Sequence, residues 1–184
     1  ALPILPIAPV IDRAGYKLID LMGTVQFDAC LRYLREDPWE RIRLIHAAMP
    51  NTPLGSGFRS EGLTGFNIVP DALVCLWIER LAANGISELL IMESLHDWDN
   101  IAEYMKAGRR AGMQIKIPLV YCESPVHTDA YYAERTAQLM RQLKPDAVYI
   151  KDANGIITPE RVRTLVPALQ EHLADLPLEL HSHC

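Results

Sequence analysis

Cysteine is scarce. The 184 residues hold four, Cys30, Cys75, Cys122 and Cys184, widely spaced and with no CxxC among them. That spacing offers neither a disulfide framework nor a cysteine zinc site, and it predicts reduced thiols in an intracellular, cytoplasmic protein. Basic residues are outnumbered too, 18 Lys and Arg against 23 Asp and Glu, for a formal charge of −5. Without a Lys/Arg stripe, nucleic acid is not an expected partner. No apolar run reaches the roughly 18 residues of a membrane span. The N-terminal ALPILPIAPVID is apolar, but Pro3, Pro6 and Pro9 and the lack of a basic leader make it a poor secretory signal. It reads as a segment of the fold. No polar linker or low-complexity stretch interrupts residues 1–184, which are expected to form one domain.

What the chain has is a 49% hydrophobic composition organised as an alternation. Strand-like runs occupy 17–22, 54–59, 88–94, 114–121, 147–152 and 178–183. Between them lie helical patterns at 26–48 (broken near Pro38), 70–83, 98–110, 128–143 and 159–173, and a helix is expected before the first strand. Gly85 and Gly112 stand where C-terminal caps do. Thr158 before Pro159, and Asp37 before Pro38, look like N-caps followed by proline at the first helical position. Strict alternation predicts an α/β protein with a parallel sheet. The absence of GxGxxG lowers the dinucleotide-binding arrangement and leaves a (β/α)8 TIM barrel. Six strands fall short of the eight a barrel needs, so the chain reads as an excerpt covering roughly strands 2 to 7. Such a piece would leave two parallel edges open and is expected to aggregate when isolated.

In a barrel the active site gathers at the carboxyl ends of the strands. Those ends carry Met22-Gly23, Arg59, Glu93, Tyr121 with Glu123, Lys151-Asp152, and His181 with His183. In LPLELHSHC, Leu176, Leu178 and Leu180 recur at period two and predict one buried strand face. Alternation then puts His181 and His183 together on one side and Ser182 on the other, the imidazoles roughly 7 Å apart along the strand. Two such rings can close on one metal ion, although a His-x-His also fits plain surface chemistry. Lys151 ends the apolar run AVYIKD, where a lysine is neither core nor helix surface. It could be a Schiff-base amine, a phosphate clamp, a carbamylated metal ligand, or a salt-bridge partner of Asp152 or Glu123. Arg59, after Gly55, Ser56 and Gly57, could hold a carboxylate in bidentate fashion or pair with Glu61 or Asp28. His127 reads as a capping or packing residue, Tyr131, Tyr132 and Trp77 as packing, and His46, His96 and His172 carry no assigned role.

FDACLRYLREDPWERIRLIHAAMPNTPL (27–54), CESPVHTDAYY (122–132), IKDANGIITP (150–159) and LHSH (180–183) together resemble the carboxyltransferase domain of the pyruvate carboxylase family. That family includes the α subunit of oxaloacetate decarboxylase and the metal-binding subunit of transcarboxylase, within the barrel superfamily of HMG-CoA lyase. The resemblance runs over essentially the whole chain. It implies a metal held by a first-strand Asp, a carbamylated Lys and two His, of which Lys151, His181 and His183 match here. The Asp, a neighbouring Gln and a proton-shuttling Thr match no position between 1 and 184. Arg59 matches the arginine that binds the oxo-acid carboxylate. The implied activity is biotin-dependent carboxyl transfer to or from a 2-oxo acid, pyruvate or oxaloacetate, through a metal-stabilised enolate. The implied partners are that acid and a biotin carboxyl carrier domain or subunit, in a homo-oligomeric enzyme. Two imidazoles with oxygen anions suit Zn²⁺, Mn²⁺ or Co²⁺.

The chain also departs from the family's pattern. RSEGLTGF stands where RGxNxxGY is usual, so a substrate-site tyrosine is Phe66 and an Asn is Gly62. MESLHD replaces FDxLND, and KDANG replaces KDxAG. The implied metal ligands persist while the substrate surroundings have drifted. A biotin-independent aldol-type lyase or synthase, or a catalytically silent assembly subunit, therefore stand as alternatives.

Overall fold

The computed structural model describes residues 3–63 and 67–183. They divide into two compact units, one running to Leu90 and taking in Glu103–Gln114, the other made of Ile91–Ala102 and the chain from Ile115 on. In chain order the elements are α1 (Ala8–Arg13), β1 (Ile19–Asp20), α2 (Thr24–Ala29), α3 (Pro38–Ala48), β2 (Leu54–Arg59), α4 (Asp71–Ala83), β3 (Glu88–Met92), α5 (Ala102–Arg110), β4 (Gln114–Val120), α6 (Asp129–Gln142), β5 (Ala147–Asp152), α7 (Pro159–Leu173) and β6 (Leu178–Ser182). A π-helical turn, Cys30–Leu34, follows α2, and a 3₁₀ turn, Trp98–Ile101, precedes α5. Parallel strands neighbour each other in chain order, and helices separate them. That is the topology of consecutive βα units of a (β/α)8 barrel.

In the first unit β1 pairs with β2, Ile19 opposite Leu54 and Asp20 opposite Gly55. The core beneath is an edge-to-face aromatic chain. Phe27 meets Trp39 at 4.8 Å and Trp77 at 5.5 Å, and Trp77 meets Phe58 at 5.4 Å. These T-shaped contacts add to area burial by about 0.5–1.5 kcal/mol per pair. Trp77 is thus a packing residue. Gly85 sits at φ 112, and a Cβ there would come 2.7 Å from the His46 ring, so only glycine closes this helix end. Asp37 caps α3 by accepting from the Trp39 amide at 2.9 Å. β1 is shorter than the expected 17–22. Leu21 still donates to the Gly55 carbonyl, but the Met22 carbonyl is taken by the Ser56 hydroxyl rather than by a strand amide.

In the second unit β5 lies between β4 and β6. Lys116–Val120 pairs with Ala147–Lys151, and Val148–Asp152 with Leu178–Ser182. Ile115, Ile117, Leu119, Val148 and Ile150 fill the interior with Leu139 of α6 and Leu165, Leu169 and Leu173 of α7. Thr158 caps α7 through the Arg161 amide at 3.2 Å. The buried face expected for Leu178 and Leu180 is not found: Leu180 is 57% exposed. The opposite face of β6 is the engaged one, since Glu179 reaches the buried Lys116 ammonium at 3.0 Å. The leucine period located the strand but not its inward side.

Candidate metal and substrate site

Parallel register places the site's central cluster. Lys151 is the partner of His181, and Asp152 of Ser182, at the carboxyl ends of β5 and β6. Lys151 Nζ lies 2.6 Å from His181 Nε2 and 3.1 Å from His183 Nε2, and the two ring nitrogens are 3.1 Å apart. The strand alternation thus carries both imidazoles to the lysine and sends Ser182 the other way, as the spacing predicts. His183 ends the ladder, its amide donating to the Asp152 carbonyl at 3.1 Å.

Asp152 anchors this geometry from behind. Its fully buried carboxylate accepts from the Ser182 hydroxyl at 3.1 Å and from the Ile156 and Ile157 amides at 3.1 and 3.0 Å. Burial pushes its pKa upward, but the Ile157, Ile156, Ser182 and Asn154 hydrogen bonds outweigh burial and hold it below the ordinary carboxylate value. The residue therefore stays an anion that pins the serine between the two histidines. From the sequence, Asp152 reads only as a salt-bridge partner. The turn formed by Asn154 and Gly155, the latter at φ 63, is what folds the chain back onto its carboxylate.

Burial lowers the His181 pKa, and the neighbouring Lys151 and His183 charges lower it further. The ring is consequently neutral at physiological pH, the form that offers a lone pair to a metal. Two nitrogens on one tetrahedral zinc, each at about 2.0–2.1 Å, lie about 3.4 Å apart, close to the 3.1 Å separation of the two rings. Among the described residues no three His, Cys, Asp or Glu side chains gather for a metal. The donor set here is two imidazoles and a lysine, and a cationic amine has no lone pair to give. The set fits a divalent ion once Lys151 carries an oxygen anion.

The other strand-end residues behave differently. Glu93 is buried and accepts from the Asp97 amide at 2.7 Å, closing the turn after β3. Glu123 accepts from the Tyr121 hydroxyl at 2.9 Å. His127 packs on Tyr131, ring centroids 5.0 Å apart, with its Nδ1 2.7 Å from the Ser124 hydroxyl. His96, to which the sequence assigns nothing, is 2% exposed and hydrogen-bonded at both nitrogens. Its partners Val120 and Tyr131 stand 24 and 35 residues away, beyond the reach of any periodicity.

Arg59 belongs to the first unit, where it ends β2 with an exposed side chain. Asp28 pairs with Arg32 at 2.6 Å. The chain turns tightly after Arg59: the Gly62 amide donates to its carbonyl at 2.6 Å, and Ser60 sits at φ 41. A Cβ on residue 62 would stand 3.1 Å from that carbonyl, so glycine in place of the family's asparagine goes with a closed turn. Phe66 lies outside the described residues. The structure thus brings Lys151, His181 and His183 together; Arg59 is placed in its own unit at a strand end. No helix of the described residues is long and apolar enough to cross a membrane.

No family profile matches the chain, but individual proteins do. A pyruvate carboxylase subunit of Methanocaldococcus jannaschii is 37% identical over 180 residues, which is 98% of this chain and 31% of that protein. The 2-oxoglutarate carboxylase large subunit of Hydrogenobacter thermophilus is 34% identical, over 98% of this chain and 28% of its own length. The methylmalonyl-CoA carboxyltransferase 5S subunit of Propionibacterium freudenreichii subsp. shermanii is 30% identical, over 94% and 34%. The chain therefore spans about a third of the length of the relatives it matches. Among solved structures, the carboxyl transferase domain of Rhizobium etli pyruvate carboxylase with pyruvate and biocytin superposes with a TM-score of 0.90 at 25% identity, over 98% of this chain and 31% of that one.

Proposed function

We propose, on the premise that the chain is a homologue of the carboxyltransferase region of the pyruvate carboxylases, that it serves biotin-dependent carboxyl transfer to or from a 2-oxo acid such as pyruvate. In this reading residues 1–184 are part of a carboxyltransferase barrel and cover roughly its strands 2 to 7. The observation that carries it is the convergence of Lys151 Nζ on the Nε2 atoms of His181 and His183 at 2.6 and 3.1 Å.

The neutral Lys151 amine attacks CO₂, forming an N–C bond and releasing a proton to solvent. The resulting carbamate is an oxygen anion and, with His181 and His183, would hold Zn²⁺, Mn²⁺ or Co²⁺. A divalent ion there supplies Lewis acidity toward the keto oxygen of the oxo acid. Arg59 holds the acid's carboxylate through paired N–H donors and so fixes the orientation of the reacting carbon. Phe66 stands where the family's pattern has a substrate-site tyrosine. The carboxyl group is carried on biotin by another domain or subunit, and the intact enzyme is a homo-oligomer.

The test is metal content and oxo-acid turnover of Lys151→Arg and Lys151→Glu in the intact protein, with and without bicarbonate. Arginine keeps the positive charge but has neither a lone pair nor a route to a carbamate. It is expected to lose the metal and roughly a thousandfold in turnover, about 4 kcal/mol. Glutamate imitates the carbamate from a shorter arm and should keep weak metal binding that no longer responds to bicarbonate. Full metal content and activity in Lys151→Arg would reduce Lys151 to an ion-pairing residue.

A further inference from the structure

We propose that His96 is a positioning residue for Lys151, acting through the backbone at the carboxyl end of β4. The inference rests on the reading of Lys151 above. The His96 ring is 2% exposed and stands on left-handed backbone at φ 56. Its Nε2 accepts from the Val120 amide at 3.0 Å, and its Nδ1 lies 3.0 Å from the Tyr131 hydroxyl. A ring that accepts at Nε2 while neutral carries its proton on Nδ1, so one tautomer is fixed and Nδ1–H donates to Tyr131. Burial, reinforced by the Arg135 and His127 charges, lowers the pKa to about 4 and keeps the ring neutral under physiological conditions.

The direction of the backbone groups explains what this bond does. Successive N–H groups of a parallel strand point to opposite sides. The Tyr121 amide donates to the Lys151 carbonyl at 2.9 Å, so the Val120 amide points away from β5, and the His96 ring takes the place of a strand carbonyl there. Val120 is also the register partner of Lys151. Just beyond, the Tyr132 hydroxyl accepts from the Cys122 amide at 2.9 Å. Residues 120–122 are thus gripped from one side by His96 and Tyr132 and carry Lys151 on the other. A lysine arm with four rotatable carbons delivers its Nζ only as accurately as its Cα is held. Misplacement by about 1 Å costs on the order of a hundredfold in rate.

The experiment compares the intact wild-type protein with His96→Leu and His96→Gln. Leucine fills the space without an acceptor, whereas the glutamine amide oxygen can reach the place of Nε2. Backbone hydrogen exchange is read in peptides spanning 118–123 and 149–153, together with kcat and KM for the oxo acid. In His96→Leu, exchange in both peptides should quicken at least tenfold and kcat should fall about tenfold, with KM within about twofold. His96→Gln should recover most of both. Unchanged exchange at 149–153 in His96→Leu overturns the link to Lys151. Quickened exchange with unaltered kcat leaves His96 as a purely structural residue and overturns it as well. Retained activity in Lys151→Arg, by contrast, defeats the catalytic reading of that lysine while the exchange result still reports on the mechanical link.

Discussion

The end of β2 and the ends of β5 and β6 place their candidate site side chains by different means. Lys151, His181 and His183 are set by strand register: a parallel ladder fixes which residue faces which, and alternation fixes the side. Ser182 and Asp152 then lock that register from behind. Arg59 sits where β2 hands over to a tight turn, with single bridges from Arg59 to Gly62 and from Gly62 to Ile68 in place of a ladder. The metal-type residues match the family's pattern, while the departures from it fall on 60–66, the stretch after Arg59, and also on 92–97 and Asn154. A register fixes the face of every position in a strand, since a slip by one residue moves each side chain to the other face. A turn admits substitution so long as its own geometry closes, as Gly62 does here.

The sharpest way to break that contrast is to unlock the ladder end. Asp152→Ala strips the acceptor from the Ser182 hydroxyl and from the Ile156 and Ile157 amides. It is expected to cost about 3–4 kcal/mol of stability, the range for several donors losing a charged acceptor. The denaturant midpoint of the intact protein measures this. A change below about 1 kcal/mol would mean that water replaces the carboxylate and that the register holds by itself.

Arg59→Ala probes the other region. Loss of a charged hydrogen-bond partner weakens carboxylate binding by about 2–4 kcal/mol, read as a fall in kcat/KM for the 2-oxo acid. Unchanged kinetics would remove Arg59 from the substrate site.

Acid sharpens the contrast within the second unit. His96 has a folded pKa of about 4 against the ordinary 6.5. Between these values the unfolded chain binds a proton that the folded one refuses, so stability falls as pH drops from 6.5 to 4 and is flat in this residue's contribution outside that window. The difference amounts to about 3 kcal/mol. Wild type and His96→Gln, unfolded in denaturant at pH 7 and at pH 4.5, should show a smaller pH loss in the variant. Parallel losses would place the titration elsewhere.

Much of this was legible in the sequence. The bounds of β2, β5 and α7 coincide with the apolar runs and caps at 54–59, 147–152 and 159–173, because capping and hydrophobic periodicity are local. Counting strand ends put Lys151, His181 and His183 at the same end of the sheet, the resemblance joined them in one site, and the structure supplies their register. What could not be read depends on distant partners. The π turn at Cys30–Leu34 closes on Arg35 at φ 52 with no glycine to announce it. The exposed side of Leu180 and the double engagement of His96 depend on elements far along the chain.

The finest probe is Phe66→Tyr. The family's pattern carries a tyrosine at this position, and the drifted stretch has lost the hydroxyl while keeping the ring. If the substrate is pyruvate and the change merely deleted one hydrogen bond, restoring it is worth about 1 kcal/mol, roughly a fivefold gain in kcat/KM on pyruvate. A relative that acts on 2-oxoglutarate by name supplies the natural competitor, and both acids should be assayed with each form. A gain on pyruvate alone would mean that the turn after β2 has drifted without changing its substrate. No gain on pyruvate, with the wild type already faster on the longer acid, would mean that the loop was reshaped for a different oxo acid while the register-held cluster stayed as it was.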